Sequence, residues 1–269
     1  MWFAWDSYAL TLAQAAGMAL PGVGLPAWAR RFRTGAWALW LPLSIAVVVA
    51  LVATVPESAT TITRVALVMV PLGAALALGW AAAGGRWWLA PLVVPALWLA
   101  VAHRHTRAGE VAVVLLITAS AVTAGRLLAG VTPYTLLKLG VIAMAIIDAH
   151  LVFTHRLQHS AGVLDAAAPG HNLPQLQSAR LHGATLGYGD FLSSAVVGAV
   201  LAAQRGRWWA VGGALAMLPV TLAWDQWFLV FDTIPDTVPP AIVLVLADAL
   251  YLSRRPRTRA PRRHPPPSA

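Results

Sequence analysis

Two aspartates stand inside apolar stretches of this chain. Asp148 closes the run Val141-Ile142-Ala143-Met144-Ala145-Ile146-Ile147-Asp148, and Asp190 lies in Leu186-Gly187-Tyr188-Gly189-Asp190-Phe191, near the start of the next apolar run. Carboxylates in such surroundings are costly and rare, so each marks a functional site by default. Two of them brought together can share one proton. The ionised member then takes a proton from water while the protonated member polarises a carbonyl. That is the chemistry of an aspartyl hydrolytic dyad, and it requires no metal, no nucleophilic side chain and no organic cofactor. The sequence of 269 residues has no cysteine, which excludes disulfides, thiolate nucleophiles and cysteine-ligated metals.

The elements that must position this pair are membrane helices. The chain is 59% hydrophobic and 11% charged, with a mean hydropathy of +0.69, whereas soluble domains carry roughly a quarter charged residues. Apolar runs repeatedly reach about 18 residues, enough to cross a bilayer as a helix. The expected fold is an all-α polytopic membrane protein with about nine transmembrane helices, roughly over 6–25, 36–55, 61–80, 86–103, 110–129, 133–154, 184–203, 207–230 and 237–252. The first is the most polar, with Ser7 and Gln14. No basic residue precedes it, so it reads as a membrane helix rather than a cleaved leader. Helices one to five occupy about 1–130, and helices six to nine with the 155–183 loop occupy about 131–253. A basic, disordered tail fills about 254–269.

The net charge is +9, and much of it is in Arg254, Arg255, Arg257, Arg259, Arg262 and Arg263. No aromatic residue interleaves these arginines, so nucleic acid is not the expected partner. With Arg30, Arg31, Arg33, Arg86, Arg205 and Arg207 they mark one face as cytoplasmic under the positive-inside rule. The amino terminus and the 155–183 loop then lie outside, together with Asp232 and Asp236. The Arg/Ala-rich, Lys-poor composition points to a bacterial cytoplasmic membrane. Gly85-Arg86-Trp87-Trp88 and Gly206-Arg207-Trp208-Trp209 repeat one pattern, an interfacial Trp belt where two helices begin at the same face.

Span lengths place the two aspartates at one depth. Asp148 is about seven residues before the outer end of the sixth helix, and Asp190 about seven after the outer start of the seventh, each roughly 10 Å deep. Gly187 and Gly189 remove side chains beside Asp190, leaving room for a neighbouring helix or an extended substrate.

Gly187-Tyr188-Gly189-Asp190 resembles the Gly-x-Gly-Asp motif of the presenilin and signal peptide peptidase family, which also lies in the seventh helix. Asp148-Ala149-His150-Leu151-Val152-Phe153 is similar to the segment after that family's sixth-helix aspartate, with Ile147 where the family has Tyr. Pro239-Pro240-Ala241-Ile242 stands where the family has Pro-Ala-Leu in its ninth helix, with Ile242 replacing Leu. The resemblance covers roughly 133–252, and what it implies is a presenilin-like bundle. It implies cleavage of single-span helical polypeptides within the lipid bilayer by Asp148 and Asp190. Gly187, Tyr188, Gly189, Pro239, Pro240 and Ala241 would then lie along the substrate, with the two prolines breaking the ninth helix. The orientation matches signal peptide peptidases and is inverted relative to presenilins.

Other readings stay open. Phe231-Asp232-Thr233-Ile234-Pro235-Asp236 resembles a stretch of the prepilin peptidases, which also use Gly-x-Gly-Asp, but there it precedes that motif. A proton-coupled transporter could use both acids as a relay, although no duplicated halves are visible. A catalytically inactive helix-binding protein is the third. Asp225 reads as interfacial or pore-facing, Asp248 as the partner of a nearby arginine and His150 as a polar contact within the bundle. His155, His159, His171 and His182 match no compact metal site.

Overall fold

Thr106 opens the longest helix by accepting a hydrogen bond from Gly109 N–H at 3.4 Å, and Glu110 in the first turn complements the helix dipole. In the computed structural model, which describes residues 2–25, 31–55, 57–154, 163, 167, 173–229 and 234–254, this helix is α5. Nine α-helices form among the described residues: α1 Trp2–Ala19, α2 Trp40–Thr54, α3 Ser58–Leu76, α4 Val93–Ala102, α5 Arg107–Val131, α6 Tyr134–Phe153, α7 Tyr188–Arg205, α8 Arg207–Asp225 and α9 Val238–Arg254. They fall close to the nine expected segments.

Four stretches among the described residues are long and apolar enough to cross a membrane: Gly35–Thr54, Ser58–Ala81, Arg107–Val131 and Tyr134–Phe153. Of the apolar stretch in Gly35–Thr54 only 22% is buried, against 72% in Arg107–Val131. The first therefore shows leucines and valines to its surroundings, including Leu43, Val47 and Leu51, as does α3 with Val68, Met69 and Leu72. An apolar belt of that size suits lipid and not water.

The interior is organised on α7. Every residue from Phe191 to Ala202 is buried, so this helix has no outer face. Small residues let its neighbours close in. A side-chain carbon on Gly125 of α5 would lie 2.6 Å from the Ala195 backbone, and one on Gly198 would overlap the Met18 backbone of α1. Helices of both sequence groups thus share one interior. One set of buried side chains joins α1, α6, α7, α8 and α9, and another joins α3, α4 and α5 with the segment before α7.

That segment differs from expectation. Ser178–Leu181 (β1) and Ala184–Gly187 (β2) form an antiparallel hairpin, with Ser178 opposite Gly187 and Leu181 opposite Ala184. His182 in its turn has φ 53. The seventh helix accordingly starts at Tyr188 rather than near 184. Most of the 155–183 loop, with His155, His159 and His171, and the tail beyond Arg254 lie outside the described residues.

The two Gly-Arg-Trp-Trp repeats behave alike. Each has a positive-φ glycine at its start, Gly84 just before the first (φ 86) and Gly206 as the first residue of the second (φ 92), and leads into a helical turn with exposed tryptophans, Trp87, Trp88 and Trp208. Both lie at one end of the bundle, where Gly84, Gly85 and Arg207 line a common cavity with Arg126.

Candidate functional site

The site forms where three helix ends meet. Asp148, 5% exposed, lies near the carboxyl end of α6. Asp190 lies in the first turn of α7, and residues 234–237 lead into α9. Asp190 is therefore nearer its helix end than the sequence depth estimate placed it, because β2 takes the residues that the estimate gave to the helix.

Asp148 is held from α9. Thr237, 1% exposed, donates its hydroxyl to Asp148 Oδ2 at 2.7 Å. Asp190 is held locally, its Oδ2 accepting from Gly187 N–H at 2.9 Å. The two aspartates lie within electrostatic reach of each other, so the structure brings together the pair singled out in the sequence.

It also brings a third and a fourth. Asp236 lies within electrostatic reach of Asp190, and Asp225 and Asp148 lie within reach of Asp236. Asp236 was expected among outer-face charges; instead it is partly buried beside the pair. Asp225, at the last residue of α8, faces this cluster across the 234–237 turn. That turn is tied back by Trp224 Nε1–H donating to Pro235 O at 3.1 Å. Among the described residues no group of three or more His, Cys, Asp or Glu is arranged to hold a metal ion.

Gln14 joins the pieces from α1. Its side chain is 1% exposed, and its amide donates to Asp190 O at 3.0 Å and to Asp236 O at 3.3 Å. A buried amide costs free energy unless it is bonded in this way. The residue that made the first helix look weak is the one that fastens it to the site.

The glycines of the motif are not helix contacts. A side-chain carbon on Gly187 would meet Asp190 Oδ2 at 3.3 Å, and one on Gly189 only the tip of Met144 at 3.3 Å. No neighbouring backbone closes on them, unlike Gly125 and Gly198. Tyr188 turns into the bundle, its hydroxyl bonding Ser120 of α5 at 3.0 Å. Pro239, Pro240 and Ala241 are buried in the first turn of α9, where the missing proline N–H breaks no helical bond. The prolines begin the helix instead of interrupting it. His150 is exposed rather than engaged within the bundle.

Thr237, Asp236 and Gln14 are the functional residues that sequence reasoning missed. A threonine one residue ahead of Val238, with Pro239-Pro240 following in the first turn, is a helix-start signal, and that could have drawn attention to Thr237. Nothing local distinguishes Asp236 from a surface acid. Comparison of the chain with known protein families, with curated proteins and with solved structures gives no match.

Proposed function

We propose that this protein is an intramembrane aspartyl protease that hydrolyses peptide bonds within transmembrane helices through Asp148 and Asp190. The observation that carries the reading is the bond between Thr237 and Asp148. It joins the residues just before Pro239-Pro240-Ala241 to the sixth-helix carboxylate, beside the Gly-x-Gly-Asp carboxylate of α7. The nearness of three stretches that resemble the presenilin and signal peptide peptidase family, within one helical bundle, supports the reading.

The chemistry follows from the pair. One carboxylate takes a proton from water as its oxygen attacks the scissile carbonyl carbon. The other carboxyl gives its proton to the carbonyl oxygen, and collapse of the tetrahedral centre expels the amine, which takes up a proton. Helical carbonyls are shielded, so the substrate must first be extended. The unobstructed backbone at Gly187 and Gly189, continuous with β2, supports a main-chain path there. The partners are single-span helical polypeptides and the surrounding lipid. The chain is a multi-pass protein with its basic end inside, in a bacterial cytoplasmic membrane.

The test is cleavage of a reporter transmembrane peptide by purified protein in detergent. Asp148→Ala and Asp190→Ala should each abolish cleavage, while Glu57→Gln, at an exposed position, retains it. Activity that survives either aspartate change overturns the assignment.

One observation favours a second reading. Four carboxylates are more than a hydrolytic pair needs, and Asp225, Asp236, Asp190 and Asp148 form a connected series. A proton-coupled transporter would use such a series as a relay. Proton uptake into proteoliposomes that Asp225→Asn abolishes, without any peptide cleavage by the unaltered chain, would establish it.

A further inference from the structure

Far from the carboxylates, the other ends of α6, α7 and α9 build a second polar cluster. Lys138 Nζ donates to both Asp248 oxygens at 2.8 Å, and Arg205 pairs with the same carboxylate. Two cations therefore share one acid, and the cluster keeps a surplus positive charge. The Arg205 side chain is only 5% exposed. Its guanidinium lies 4.4 Å from the Tyr251 ring centre and 5.1 Å from that of Trp209. These rings hold the charge through their faces. Among the described residues Arg205 Nη1 is buried without a hydrogen-bond partner, which is costly for a charged donor. Lys138 bonds only Asp248 in this cluster, although an ammonium group has three donors.

A cavity of about 340 Å³ opens on this cluster, lined by Lys138, Gln204, Arg205, Asp248, Tyr251 and Leu252. We infer that it is a binding site for the phosphate of an anionic phospholipid headgroup. A phosphate oxygen would accept from the third Lys138 donor, whose side chain is 17% exposed, and the anion would balance the charge of the buried Arg205 beside it. Basic pockets between helices at a membrane surface take anionic headgroups for this reason. The surroundings favour a lipid over free phosphate. Leu252 at the rim is 64% exposed, and Val245, two turns earlier on the same face of α9, is 52% exposed, giving an apolar surface along which an acyl chain can lie. Arg207, Arg254 and exposed Trp208 stand at the same end, as expected where a bundle meets headgroups.

The test is native mass spectrometry of the full chain in detergent with added phosphatidylglycerol or phosphatidylcholine. The unaltered protein should retain phosphatidylglycerol selectively, and Arg205→Gln and Lys138→Gln should each weaken that retention about tenfold. Asp248→Asn guards against loss of fold: removing the competing acid should strengthen retention, and phosphatidylglycerol should restore the thermal stability that this variant loses. Displacement by millimolar inorganic phosphate would identify free phosphate as the ligand and overturn the lipid assignment. Equal retention of both lipids, or retention indifferent to Arg205→Gln with Asp248→Asn merely unstable, would show a helix pin and overturn the site.

Discussion

The same three helices, α6, α7 and α9, carry two polar layers of opposite design. At one end Asp148 and Asp190 confront Asp236 and Asp225, and their bonded partners are neutral: a threonine hydroxyl and a backbone N–H. At the other end, about ten residues or roughly 15 Å along α6, Asp248 is matched by Lys138 and Arg205. A bundle that needed buried charge only for cohesion would be built like the second layer, each acid answered by a cation. The first gathers acids that repel and, among the described residues, answers none of them with a cation. Such an arrangement persists where like charges serve a proton-handling task.

The contrast can be broken by substitution. Asp148→Asn or Asp190→Asn should lower cleavage by about 10²- to 10⁴-fold, the range of general acid–base contributions. Neither should lower the unfolding temperature in detergent, because repulsion is relieved. Asp248→Ala should do the opposite, costing about 3 kcal/mol by leaving two cations unpaired, read as a fall in thermal stability in zwitterionic lipid. If the two layers respond alike, the distinction between them fails.

The glycines of α7 sharpen the same contrast. Gly198→Ala forces a carbon into the Met18 backbone and should cost about 2 kcal/mol as overpacking. Gly189→Ala meets only a mobile methionine tip and should change stability little while slowing cleavage. Thr237→Val removes the hydroxyl held by Asp148, and a loss of about tenfold in cleavage is expected for one bond to a charged group. Smallest is Asp225→Asn, with less than about a twofold change in cleavage; a larger one moves weight to the transporter reading.

Much of this architecture was legible in the sequence because it rests on composition and length. Long apolar runs, Gly and Pro punctuation and the repeated Gly-Arg-Trp-Trp stretches place helices close to where they form. The aspartate pair was legible because carboxylates in such runs are conspicuous. The hairpin at 178–187 was not: four-residue strands leave little periodicity, and the alternation in Ala184-Thr185-Leu186-Gly187 merges into the apolar run that follows. The roles of Gln14 and Asp236 depend on contacts between residues far apart in sequence, which no local pattern encodes. Pro239-Pro240 was misread for a simpler reason. Prolines break a helix only in its interior, and these lie at its start.

Arg126 of α5 has a consequence for the order in which the chain is made. Its guanidinium is buried among the carbonyls of Val23, Gly24 and Trp80 and lies over the Trp80 ring. Every one of these partners precedes it in the chain. When α5 leaves the ribosome, the carbonyls that accept from its guanidinium have already been synthesised, so this charge need not wait for the later helices. The later half has no such independence. Lys138 and Arg205 wait for Asp248, and Asp148 waits for Thr237, so both layers close only when α9 arrives. A nascent chain stopped before residue 234 would hold Lys138, Arg205 and Asp148 in one membrane, each still without its partner from the last segment.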